Sequence, residues 1–146
     1  MAIPKAFRLS SLLNLRKAQE ERAAAELAQA AADRARAEQR RMETEKLLGT
    51  VAFTPGSAAA TSFQAVTATR ATMSMMLTEA VTLAESAAAH QDTKRRDYQA
   101  AHAKTLTLTK LEERHVEAFN AEQNRNEQIV LDEIASTRAR KQEPQS

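Results

Sequence analysis

Three histidines, His90, His102 and His115, are the residues best suited to acid–base or metal chemistry, and they stand 12 and 13 positions apart. Two imidazoles bind one metal from a helix when they are four residues apart, and no such pair or HExxH motif occurs. There is no cysteine, so there is no thiolate ligand, disulfide or cysteine nucleophile. Glycine-rich phosphate loops and nucleophile elbows are missing too, and no Ser/His/Asp cluster can be assembled. Carboxylate pairs such as Glu112-Glu113 and Asp132-Glu133 are ordinary on solvated helices. The chain is expected not to be an enzyme, with no cofactor and no metal.

The elements that carry these side chains follow from composition. In 146 residues there are 31 alanines, two glycines, three prolines, no Trp and five Phe or Tyr, a poor supply for a bulky core or a β-sheet. Gly49, Pro55 and Gly56 lie together, while 5–48 and 57–143 hold neither residue and are rich in helix formers. The expected fold is all-α, a long antiparallel two-helix coiled-coil hairpin with a longer second helix. One coiled-coil domain would span 1–146, with helix one about 9–48, turn about 49–60, helix two about 61–138 and tail 139–146. Thr61 would cap helix two through the Gln64 N–H.

Periodicity at 4-3 spacing marks the seams. Helix two presents Val66, Arg70, Met73, Leu77, Ala80, Ala84, Ala87, Gln91, Lys94, Tyr98, Ala101, Thr105 and Leu108; helix one presents a weaker stripe from Leu9 and Leu13 through Ala30 to Leu48. At 1.5 Å per residue the helices would be about 60 and about 115 Å long. Folding about residue 55 would set Leu27 against Leu83 and Leu9 against Ala101. Helix two would then lack an intramolecular partner from about His102. That overhang carries Leu106, Leu108, Leu111, Val116, Phe119, Ile129, Val130, Leu131 and Ile134, so it must dimerise, pack on another protein or fray. Between Leu47 and Thr78 the only charge is Arg70, and Met75 and Met76 leave the seam. This stretch reads either as an adaptable docking surface or as filling for the hairpin tip.

Net charge is +2 with interspersed signs, so a nucleic-acid face is not expected. Leu9 to Leu15 is too short and too broken for a signal peptide, and no apolar run is long enough to span a membrane.

Two end segments carry a family resemblance. Phe7-Arg8-Leu9 is followed by Leu12-Leu13-x-Leu15-Arg16-Lys17 and Glu20-Glu21. Later come Lys110-Leu111-Glu112-Glu113-Arg114 and Glu127-Gln128, then Asp132-Glu133-Ile134-Ala135. In this order they resemble the flagellar export protein FliJ family, a soluble component of the flagellar type III export apparatus. The middle, Met42 to Arg95, carries no residue-by-residue match. The resemblance implies a non-enzymatic stalk, similar to the shaft of rotary ATPases, for flagellum biogenesis and motility. Its implied partners are the hexameric flagellar export ATPase, whose ring it enters, the membrane export-gate protein, and export chaperones that it escorts. Its implied location is cytoplasmic, peripheral at the inner face of the cell membrane at the flagellar base.

On this resemblance the ring contacts fall to Leu111, Arg114, Phe119, Arg125, Gln128, Asp132 and Glu133. The gate contacts fall to Leu47, Leu48, Val51, Phe53, Phe63, Met73 and Met76. An ordinary homodimer seam is the plain alternative for Leu111 and Phe119, and a solvated face for Arg125 and Asp132. Injectisome stalks are similar in shape, and an amphipathic Ala-rich surface coat or a self-assembling scaffold would share the composition.

Overall fold

A computed structural model describes residues 2–51 and 60–143. Two helices account for nearly all of them: α1, Ser10–Thr50, of 41 residues, and α2, Ala60–Gln142, of 83 residues. The fold is all-α, and the second helix is the longer. Helix α1 opens where the Ser10 amide donates to the Phe7 carbonyl, 3.1 Å, and the Leu13 amide to that of Leu9, 2.8 Å. It closes with the Thr50 hydroxyl donating to the Leu47 carbonyl, 2.7 Å, which satisfies one of the carbonyls a helix end leaves over. Threonine is a weak helix former because its hydroxyl competes for backbone groups. Along α2 that competition is resolved locally: Thr67, Thr69, Thr78, Thr82, Thr93, Thr107 and Thr137 each donate to the carbonyl four residues earlier. Arg140 and Lys141 occupy the last turn, where the helix dipole favours cations. The side chain of Thr61, the expected cap, lies outside the described residues.

The chain forms two units, and both helices contribute to each. The first contains residues 1–18 and 102–146; the second is 19–101. Within the second unit, Glu26 meets Lys94 and Arg34 meets Gln91, so the helices run antiparallel. Its core is small: among its described residues Ala30, Ala80 and Ala84 are the buried apolar ones. Alanine brings two backbones close but removes little area from water, so each layer contributes little. Met73, Leu77, Ala87, Gln91 and Lys94 are partly covered on the same face, as the 4-3 stripe requires; Arg70 is exposed. Arg41 lies partly buried along the seam with its head between Glu38 and Glu45.

Within the first unit the buried residues are Leu13, Thr105 and Leu108. The Thr105 hydroxyl donates across the seam to the Arg16 carbonyl, 3.1 Å. The non-helical N-terminal segment 2–9 then carries the contact further. Phe7 packs on His115 with ring centroids 5.6 Å apart, and the Ile3 amide donates to the Glu122 carboxylate, 2.8 Å.

The register differs from a fold centred on residue 55. That centring would set Arg16 near residue 94, whereas Arg16 meets Thr105 and Lys94 meets Glu26. Leu83, expected opposite Leu27, is half exposed. The expected turn, about 49–60, lies mostly outside the described residues. Side-chain matching along the seam sets the pairing. Consequently α2 is not without an intramolecular partner from His102. Thr105, Leu108, Glu112, His115, Phe119 and Glu122 continue the covered stripe, and every residue from Gln123 to Glu143 is exposed. No helix among the described residues is long and apolar enough to cross a membrane.

Candidate functional site

The expected ring-contact residues lie in the first unit, all on α2. A helix turns about 100° per residue, so Leu111, Arg114, Arg125, Gln128 and Asp132 fall on one stripe at 4-3 spacing. All five are exposed, and the Gln128 amide donates to the Asp132 carboxylate, 3.1 Å. Phe119 and Glu133 belong to the neighbouring stripe, which continues the covered face; Phe119 is partly buried and Glu133 exposed. Beyond Glu122 every described residue of α2 is exposed, and Ile129, Val130, Leu131 and Ile134 expose 50%, 53%, 59% and 46% of their surface. Three of them are consecutive. They therefore point to three sides of the helix, covering about 200° of its circumference. A one-sided seam buries a narrower stripe than that.

The expected gate-contact residues lie in the second unit. Leu47, Phe63 and Met76 are more than half exposed, while Leu48, Val51 and Met73 are partly buried. Met73 and Leu48 belong to the seam itself, and Met75, three-quarters exposed, stands outside it. Phe53 lies outside the described residues. From Ser62 to Thr72 only Val66 is more than lightly covered, so the start of α2 offers a weakly charged, Met- and Phe-bearing surface.

Polar contacts across the helices mark the second unit. Lys94 Nζ lies 3.2 Å from Glu26 Oε2, and Arg34 donates to Gln91 at 2.9 Å. The hydrogen bond from Lys94, then its charge, holds the Glu26 carboxyl below the usual carboxylate range. The Arg41 guanidinium does the same for Glu38 and is itself raised by that hydrogen bond. Local pairs such as Arg36 with Asp33 and Arg95 with Asp92 lie on solvated faces and contribute little. Among the described residues no group of His, Asp and Glu is arranged to hold a metal ion.

A match to the family described as "Flagellar FliJ protein" spans residues 4–144 of the 146. The chain belongs to the FliJ family. It is thereby a component of flagellar type III protein export and works with the export apparatus. The family is one of non-catalytic, stalk- or chaperone-like helical proteins. No curated protein and no solved structure matches the chain significantly.

The segment 2–9 is a site that sequence reasoning missed. Pro4 and the absence of a helical stripe there gave no hint that it would pack. One signal was available: the α2 stripe does not stop at Leu108 but continues at 4-3 spacing through Glu112, His115, Phe119 and Glu122. A face that continues past the start of α1 needs cover from what precedes α1.

Proposed function

We propose that this chain is the non-enzymatic stalk of the flagellar export ATPase, docking the carboxyl-terminal end of α2 inside the hexameric ring and assisting export of flagellar proteins. The observation that carries this reading is the exposure of Ile129, Val130 and Leu131 on three sides of one helix. A partner packed on one side would leave at least one in water. A ring interior would cover all three, because it surrounds a helix and can meet apolar side chains spread over more than one face. Arg125, Gln128, Asp132 and Glu133 would meet polar loops of the ring, with Leu111, Arg114 and Phe119 nearer its mouth. Contact of successive ATPase subunits with unlike faces of the helix would favour one nucleotide state over another. Phe63, Met73, Met76 and Leu47, with Leu48, Val51 and Phe53, would meet the export gate, where flexible Met side chains suit an adaptable contact. Export chaperones are further partners on this reading. The location is cytoplasmic, at the inner face of the membrane beneath the flagellum.

The test is stimulation of the purified ATPase. Arg125→Ala combined with Asp132→Ala, both on the exposed stripe, is expected to weaken stimulation at least several-fold while helicity stays unchanged. Undiminished stimulation by a fully helical variant would move the contact elsewhere.

A further inference from the structure

We propose that segment 2–9 is a placeholder on α2, occupying the Glu112–Glu122 face until a segment of the export ATPase with the same chemistry displaces it. The inference rests on the docking reading above and adds how that docking is regulated. The segment is not part of α1 and does not continue its helix. It carries an aliphatic residue, Ile3, and an aromatic one, Phe7, with the cations Lys5 and Arg8 beside them. Opposite stand the His115 ring, on which Phe7 packs, and the Glu122 carboxylate, which accepts from the Ile3 amide. The fit is therefore ring on ring, with one backbone amide on a carboxylate. What occupies a surface within its own chain reports the chemistry an outside occupant would need: a short stretch with an aromatic side chain for the His115 ring and, about four positions away, a free backbone amide for Glu122.

The fit is also incomplete, and this is what makes displacement feasible. His115 Nε2 is buried with no hydrogen-bond partner, while Ile3, Pro4, Phe7, Arg8 and Leu9 line the recess around it. Leaving a buried polar atom unsatisfied penalises the closed arrangement. An outside segment with a hydroxyl or carbonyl at that point would fit better than the segment that covers it now. Phe119, an expected ring contact, lies on this same face, so the face cannot serve both occupants at once.

The experiment uses the full-length chain and the purified ATPase, with Phe7→Ala and, separately, Ile3→Ala. Both substitutions loosen the segment without touching α2. Apparent affinity falls by the fraction of molecules in the open, competent state, so loosening is expected to tighten binding, by about fivefold for Phe7→Ala and less for Ile3→Ala. A synthetic peptide of residues 2–9, added in excess, is expected to bind the Phe7→Ala protein and reverse the gain. Circular dichroism checks that each variant stays helical; should Phe7→Ala lose helix, Ile3→Ala carries the test. Unchanged or weaker ATPase binding by a helical variant overturns the placeholder. Failure of the unaltered chain to bind the ATPase overturns the docking reading instead, and peptide binding to Phe7→Ala would then still report the displaceable face.

Discussion

At the scale of single residues, the polar contacts across the second unit set its register. Alanine layers are nearly interchangeable, since one methyl packs on another about equally well after a shift of seven residues. Glu26 with Lys94 and Arg34 with Gln91 break that degeneracy. They also give stability a dependence on acid. The Glu26 carboxyl is held low in the folded chain, so its contribution is present above the ordinary carboxylate value of 4.5 and is lost as pH falls through the lower folded value. Lys94→Ala removes the main cause of that depression. Thermal melts at pH 7 and near pH 3 are expected to show a smaller acid-induced drop for Lys94→Ala than for the unaltered chain. Equal drops would place the acid sensitivity at other carboxylates. Because both groups are solvated, the effect at neutral pH is expected to be small.

At the scale of the elements, the seams predict which changes are felt. Leu13 is 2% exposed in the first unit, and its truncation to Ala leaves a cavity between α1 and α2 at a loss of about 2–3 kcal/mol, read from chemical denaturation. Ala30 is 1% exposed in the second unit, where the backbones approach closely. Ala30→Leu overfills the layer and is expected to destabilise by about 1–3 kcal/mol despite adding apolar area. Gly49 goes the other way. It sits in the last turn of α1, and an added Cβ would meet nothing within 4 Å, so Gly49→Ala is expected to stabilise by about 0.5–1 kcal/mol in the same measurement.

These elements also show what the amino-acid order reveals and what it hides. The stripe from Met73 to Leu108 is legible because heptad spacing places its members on one face, whatever the partner. Its pairing with α1 is not legible, because Ala30, Ala80 and Ala84 carry almost no size or shape to choose among offsets. The contact of Phe7 with His115 is hidden for another reason: a non-helical segment has no period to read. The site residues divide likewise. Arg125, Gln128 and Asp132 share a stripe by spacing alone, whereas the contact at Glu122 depends on Ile3, more than a hundred positions away.

At the scale of the whole chain, family membership and exposure point the same way. A FliJ-family protein belongs to flagellar type III export, and Ile129, Val130 and Leu131 stand exposed at the end of α2, where the proposed function puts the ATPase ring. On the proposed function, Gln123–Gln142 is open in the free protein and enclosed by the ATPase. Hydrogen–deuterium exchange, followed by peptide in the free chain and in the ATPase complex, tests it most directly. The account predicts fast exchange over 123–142 in the free chain, and strong protection of that stretch on all its faces once the ATPase is added. A stable complex in which 123–142 exchanges as fast as before, with protection confined to other parts of α1 or α2, would contradict it.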